Sequence, residues 1–337
     1  MSNLWQQVNQ IIKEISPITI GGVSFKSPLL LAPMAGVTDA PLRRLMYDLG
    51  AGGAITELIS CHAINYKNER TLKMLTLQEG ETNTGVQLFG TIDDLDHLLK
   101  AMDQVVGRGF TFIDLNMGCP VRKVVTKGGG SALIKDPGKL GPFLTKLREH
   151  SPLPFSIKIR TGWDQNSLNA HQVVKAATDS KVAWVAIHGR PRSQFYNGAA
   201  NWEYIEEVAS ESELPIIGNG DLNSTKIIRE RLANSNCAAL MLGRGPTKDP
   251  SLFIAPFADD PNFSLHGEDY LAILQRLRQY HHQYGLPARV QFIQLRKQAV
   301  WFSAGQREST QFRQQLFQLD TMEKLWQQCE IFFTKKV

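Results

Sequence analysis

The chain has 337 residues, 42% of them hydrophobic and 20% charged, enough for one large domain with an appendage or for two ordinary domains. A net charge of +5 and a pI near 8.9 permit an acidic partner without requiring one. Apolar runs such as residues 29–32 and 238–242 fall far short of the ~20 needed to cross a bilayer, so a membrane-spanning chain is excluded.

Residues 1–17 carry Leu4, Val8, Ile11, Ile12 and Ile15 at helical spacing, interrupted by polar residues. They read as an amphipathic helix on the body of the protein, and lack the pattern of a secretory signal. Ile18 and Ile20, then Gly21-Gly22, then Val23 and Phe25 alternate like a small hairpin. Eight apolar runs follow, at residues 29–32, 54–57, 85–88, 112–116, 155–159, 184–188, 215–218 and 239–242. Each ends in polar residues or glycine, and helical periodicity follows behind caps such as Asp39, Asp93, Asp136, Asn169, Asn201 and Asn223. Strand and helix alternating eight times is the count of an α/β fold of the (β/α)8 TIM-barrel type, expected over residues 18–256 with the hairpin covering its bottom. An open doubly wound sheet would want GxGxxG after its first strand, and Ala32-Pro33-Met34-Ala35-Gly36 is not that motif.

Residues 257–267 break the periodicity with Asp259-Asp260-Pro261 and Gly267 and read as a linker. Residues 268–337 then look like a separate C-terminal all-helical domain. The tail from residue 266 holds ten Lys and Arg against six Asp and Glu, most of the chain's excess positive charge. On one of its helices Phe292, Leu295, Ala299 and Phe302 form a buried stripe, leaving Arg289, Arg296 and Lys297 on the other side.

In a barrel, the residues just past each strand gather at one rim. Pro33, Met34 and Ala35 follow the first strand, where small apolar backbone lets a flat ring lie close. Gln87 ends the third. The fourth runs into Asn116-Met117-Gly118-Cys119-Pro120, where the glycine and proline break the strand and present the thiol in a turn. Lys158 and Arg160 lie on the fifth and are expected to face opposite sides; Lys158 turned inward is a buried cation that wants an anion or an electron-rich ring. His188 closes the sixth, Asn219-Gly220-Asp221 the seventh and Gly243-Arg244 the eighth. The last two loops are the usual phosphate cradle of this architecture. A phosphate there, with Lys and His further round the rim, describes FMN with its ring over the mouth toward Pro33 and Cys119.

Four cysteines, Cys61, Cys119, Cys237 and Cys329, show no CxxC pair, so neither a metal site nor a disulfide framework is expected, and a reducing cytoplasm fits. Cys61-His62 after the second strand resembles a nucleophile pair, but adjacent residues rarely orient for that role and the sequence shows no third group to orient them.

The segments Ala32 to Asp39, Gly85 to Gly90, Asn116 to Pro120, Lys158 to Trp163, His188-Gly189-Arg190, Asn219-Gly220-Asp221 and Gly243-Arg244-Gly245 together resemble the tRNA-dihydrouridine synthases. In the tail, Leu295-Arg296-Lys297 and Trp301 look like the bacterial branch. Pro191 departs from the threonine usual after His-Gly-Arg, and residues 1–17 extend beyond the usual start. The resemblance implies reduction of the C5–C6 double bond of selected uridines in tRNA, by FMN that NADPH has reduced, with Cys119 donating the proton to C5. It makes Asn116, Lys158 and His188 candidates to hold the uracil carbonyls or the flavin edge, and Arg160, Arg190 and Gln194 candidates to reach substrate. Arg289, Arg296 and Lys297 would grip the tRNA backbone while the base is turned out into the barrel. NADPH, without a dinucleotide domain of its own, would visit the same rim, and no protein partner is called for.

Three other readings share some of these residues. A flavin barrel acting on a small dihydropyrimidine or enoate keeps the phosphate loops and uses the tail for association. An RNA-binding protein would keep the tail and have lost its chemistry. A Schiff-base aldolase would use Lys158 as its amine.

Overall fold

A computed structural model describes residues 3–335. Eight parallel strands close into a barrel: β3 (Leu29–Leu31), β4 (Gly53–Ser60), β5 (Thr84–Phe89), β6 (Phe112–Met117), β7 (Phe155–Arg160), β8 (Val185–His188), β9 (Ile216–Asn219) and β10 (Ala239–Leu242), with β10 pairing back onto β3. They are preceded by the antiparallel hairpin of β1 (Ile18–Ile20) and β2 (Val23–Phe25). All eight expected strands form, each within a few residues of its expected span. Asp39 and Asn201 cap their helices through side-chain oxygens, whereas Asp94 and Ser224, one residue beyond Asp93 and Asn223, stand at the N-caps of theirs.

Strand periodicity sorts the side chains. Leu29, Leu31, Val86, Leu88, Ile113, Leu115, Ile157, Ile159, Val185 and Ile187 point outward into a continuous core under the surrounding helices. The other parity forms a second cluster inside the barrel, where Leu30, Ala32, Ile55, Phe112, Ala186, Ile217, Ala239 and Met241 meet Phe25 and Trp184. Phe25, Phe112 and Trp184 make three edge-to-face pairs with ring centroids 6.0, 6.0 and 4.8 Å apart, each contributing about 0.5–1.5 kcal/mol beyond burial. Phe25 comes from the hairpin, so this aromatic cluster stops the bottom of the barrel. Gly85 makes room for it: a Cβ there would lie 2.1 Å from the Phe112 ring.

Following the inward parity upward gives Gln87 on β5, Asp114 and Asn116 on β6, Ser156, Lys158 and Arg160 on β7, His188 on β8 and Asn219 on β9. The interior thus changes from aromatic at the bottom to polar at the C-terminal ends of the strands. Lys158 and Arg160 share this face, correcting the expectation that they diverge: residues two apart on a strand lie on the same side.

The N-terminal helix Leu4–Glu14 buries Leu4 and Val8. After a coil that begins at Ala258, four helices run Gly267–Gln283, Ala288–Phe302, Ser309–Phe317 and Met322–Phe333. Their apolar residues, from Leu271 to Phe333, are continuous with the core around the barrel. Arg276 and Tyr280 bond Asp48 at the end of the helix Ala40–Asp48, and the Arg276 guanidinium lies 4.1 Å above the Trp5 ring. In Ala288–Phe302 the buried side chains are Leu295, Gln298, Ala299 and Phe302; Phe292, expected in that stripe, is only half-buried. Gln298 is tolerated inside because its amide donates to Thr247 O at 2.8 Å.

Candidate active site at the barrel mouth

The base of the site is a buried hydrogen-bond chain. Gln87 Nε2 donates to Asp114 Oδ2 at 2.7 Å, Ser156 Oγ to Asp114 Oδ1 at 2.7 Å, and Asn116 Nδ2 to Gln87 Oε1 at 2.9 Å. Burial pushes the Asp114 carboxyl up to about 6, with the Gln87 and Ser156 donors opposing. Gln87 and Asn116 stand out in the sequence by their place at strand ends. Asp114 does not, although a polar residue in an apolar run and in phase with Asn116 is a signal for it.

This chain positions the thiol. Asn116 Oδ1 accepts from the backbone N–H of Cys119 at 2.9 Å and of Gly118 at 3.4 Å, while Arg160 Nε donates to Gly118 O at 3.0 Å. Ser131 N donates to Cys119 O, and Gly130, at φ +57°, passes so close that a Cβ would meet Cys119 O at 2.8 Å. Cys119 is half-buried, and burial raises its thiol above the ordinary range despite the neighbouring Arg160. A proton is therefore held on the sulfur at neutral pH.

Across the strands Lys158 Nζ donates to Asn219 Oδ1 at 3.1 Å, and Asn219 Nδ2 is fixed by Met241 O at 2.6 Å. Among the described residues Lys158 has no ion-pair partner. Burial, then the charge of Arg160, lowers its ammonium to about 8. His188 is buried, and burial and four neighbouring cations hold it well below the usual imidazole value. It is neutral, and Arg190 Nη1 donates to its Nε2 at 3.2 Å, which leaves the ring proton on Nδ1.

Arg190 is spent inside the protein: Nη2 reaches both Asp221 oxygens at 2.7 Å and Gly198 O at 2.6 Å, and Nε reaches Asn197 O at 3.1 Å. It pins the loop after β8 to the loop after β9. Gly220 at φ +129° turns between them, where a Cβ would lie 2.7 Å from Ala200 Cβ. Asp221→Ala leaves the buried guanidinium unpaired; we expect a loss of about 3 kcal/mol in thermal or urea unfolding, the low end of the buried-pair range because water reaches Asp221. An unchanged unfolding midpoint would show that the carbonyl acceptors alone hold Arg190.

Arg160 also bonds Pro191 O and Phe195 O, so one buried guanidinium joins the cysteine turn to the loop after β8. Gln194 is half-buried, and its amide donates to Asn197 O and Ala199 O within that loop. Tyr196, not foreseen, is exposed on the same loop beneath Arg244 (4.7 Å) and Arg160 (5.5 Å). Pro33 and Met34 are half-buried and Ala35 is exposed; the loop is closed by Thr38, whose Oγ1 accepts from Met34 N at 2.9 Å. Gly243 lies beside it, a Cβ there falling 3.8 Å from Met34 Sδ, and Arg244 is exposed.

The mouth thus collects Lys158, Arg160, Arg190 and Arg244 against Asp221 and the carboxyl of Asp114. A half-buried lysine without an ion-pair partner among the described residues, within a net positive rim and beside the glycine turns of the last two loops, fits an anionic phosphate-bearing flavin.

Of the tail residues, Arg289 is exposed, Arg296 is half-buried between the Phe292 and Phe317 rings, and Lys297 is half-buried against the barrel. Elsewhere, His62 Nε2 is 2.7 Å from Asp94 Oδ1, so the third group that the sequence does not show beside Cys61-His62 exists. The Cys61 thiol, however, is fully buried and pushed up to about 12, the opposite of an activated nucleophile.

The family model for dihydrouridine synthase matches residues 30–337. The chain belongs to the dihydrouridine synthase family. It is 34% identical over 310 residues to a probable tRNA-dihydrouridine synthase of Rickettsia conorii, covering 88% of this chain and 90% of that one. It is 31% identical over 332 residues to tRNA-dihydrouridine synthase B of Pseudomonas aeruginosa, covering 96% and 97%. Among solved structures, an old yellow enzyme homologue from Zymomonas mobilis superposes with a TM-score of 0.53 at 13% identity, over 74% of this chain and 94% of that one. An amine oxidase from Pseudomonas geniculata N1 gives 0.56 at 14%, over 82% and 53%. These two likenesses concern the barrel fold. As a dihydrouridine synthase, this chain carries the family's span from β3 to its last helix.

Proposed function

We infer that this dihydrouridine synthase is a flavin-dependent oxidoreductase that reduces the C5–C6 double bond of uridines in tRNA. The observation that carries the reading beyond family membership is the Cys119 turn, fixed by Asn116 and Arg160 at the end of β6, beside the strand that bears Lys158. The cofactor is FMN, reduced by NADPH, and the working compartment is the cytoplasm. When bound, the flavin supplies the hydride that adds to uracil C6.

The protein's residues supply the rest. Lys158, with Asn219 and the Nδ1–H of His188, would hold the flavin and give it a positive, hydrogen-bonding environment that favours the charge arriving on reduction. The loops at Gly220-Asp221 and Gly243-Arg244 hold the phosphate, and Pro33, Met34 and Ala35 border the ring. Asn116 would orient the base and holds the cysteine turn, and Gln87, which accepts from Asn116, would border the flavin. Arg160, Arg190 and Gln194 shape the loop that substrate must pass, the first two by buried contacts rather than by free reach. Cys119 delivers its proton to C5, so that one hydride and one proton saturate the bond.

A uracil inside folded tRNA must be turned outward to reach this mouth, which requires a grip on the surrounding backbone. Arg289 and Arg296 lie on the helical region for that purpose. Replacing both by alanine is expected to weaken tRNA binding and to reduce the salt slope by about 0.7–0.9 for each phosphate that is no longer neutralised, leaving flavin content intact. Identical slopes would remove these residues from the tRNA interface. The function itself is tested by supplying purified protein with FMN, NADPH and tRNA lacking dihydrouridine, and counting dihydrouridine formed. Turnover of a free uracil or enoate with none on tRNA would favour a small-molecule reductase instead.

A further inference from the structure

We propose that Lys297 is a positioning residue: from the helical region it clamps the Pro33–Thr38 loop that borders the flavin ring, making the mouth's geometry depend on the tail. Its role toward the flavin rests on the reading of the mouth given above; the clamp does not.

Sequence places Lys297 on a solvated basic face with Arg289 and Arg296, yet it behaves differently from both. Its Nζ donates to Gly36 O at 2.8 Å, its ammonium faces the Asp39 and Glu57 carboxylates, and it lies 5.1 Å from the Trp301 ring. The Gly36 peptide is held from the other side too, because its N–H donates to the Glu57 carboxylate on β4. Gly36 is thus gripped by the barrel through its amide and by the tail through its carbonyl.

The loop needs such holding. Gly36 is exposed at φ +70°, with nothing within 4 Å of where a Cβ would sit, so no side-chain packing fixes it. Its remaining bonds are local: Val37 N, Thr38 N and Thr38 Oγ1 to Met34 O, Met34 N to Thr38 Oγ1, and Arg43 Nη1 to Thr38 O at the loop's end. Two charge-assisted bonds, one from the half-buried Lys297 ammonium and one to the Glu57 carboxylate, are the long-range ties at its tip. Arg289 lies eight residues, roughly 12 Å, up the same helix, so backbone gripped there is rigidly connected to the loop. Docking of tRNA and the setting of the flavin's neighbour are then one mechanical event.

The decisive experiment is amide hydrogen exchange on flavin-free protein, following peptides that cover residues 33–39. Lys297→Met should speed their exchange by about tenfold or more, Lys297→Arg should restore much of the protection, and Arg289→Ala should leave it as in wild type. Glu57→Gln loosens the same peptide from the barrel side without touching the tail, and should reproduce the effect even if Lys297→Met perturbs the helices. Wild-type exchange in Lys297→Met overturns the clamp, whatever Glu57→Gln does. In the loaded enzyme the clamp predicts a lower kcat with little change in KM for tRNA or in its salt slope. A change confined to KM and salt slope would make Lys297 a phosphate ligand, sinking this proposal while sparing the tRNA reading.

Discussion

Cys119→Ala is expected to purify yellow, to accept electrons from NADPH at the wild-type rate, and to form dihydrouridine about 10²–10⁴ times more slowly. The argument is positional. The turn that carries the thiol is fixed by backbone bonds to Asn116 and Arg160, and neither bond involves the sulfur. Removing the sulfur therefore leaves the rim in place and takes away only the proton donor. Burial holds that thiol protonated, so activity should fall on the alkaline side as it ionises, and this alkaline limb should vanish in the residual activity of the variant. Rapid-reaction measurement of the two half-reactions separates these outcomes. Wild-type conversion of tRNA by Cys119→Ala would end the assignment of this residue as the acid.

Lys158→Met should strike the other half-reaction, lowering flavin affinity and slowing flavin reduction by roughly 10²–10³, the size of effect seen when a preorganised electrostatic partner is removed. Its pH dependence has a definite sign. Burial lowers the ammonium to about 8, against 10.5 for an ordinary lysine. Above about pH 8 the flavin-free site loses the positive charge of Lys158, so FMN affinity should decline between pH 7 and 9 in wild type and stay flat in Lys158→Met. Stability runs the opposite way: between pH 8 and 10.5 the unfolded chain binds more protons, so this group makes the flavin-free protein more stable as pH rises through that window. Bound anion would raise the ammonium's value and mute the effect. Fluorescence titration with FMN reads the first trend and urea unfolding the second; a flat wild-type affinity would separate Lys158 from the flavin.

The barrel is legible in the sequence because each strand is a short apolar run stopped by polar residues or glycine, and because closure sends the residues after all eight runs to one rim. Cys119, His188, Asn219 and Lys158 follow from that rule alone. What escapes it is set by partners distant in sequence. Nothing local marks Arg190 as the counterion of Asp221, Arg160 as a tie between two loops, or Lys297 as a neighbour of Gly36, 261 residues away. Asp114 and the shared face of Lys158 and Arg160 are different: the period of two already contains them, and the parity has only to be counted from Phe112 and from Ser156.

The stopper formed by Phe25, Phe112 and Trp184 has a kinetic consequence. With one end of the barrel blocked by interlocked rings, a flavin held at the mouth as proposed would be approached from that side, and a nicotinamide reductant standing there would exclude a nucleobase. On that reading reductant and RNA would take turns, the first leaving before the second enters. Initial rates measured against both should trace parallel double-reciprocal lines, and excess NADPH should compete with tRNA.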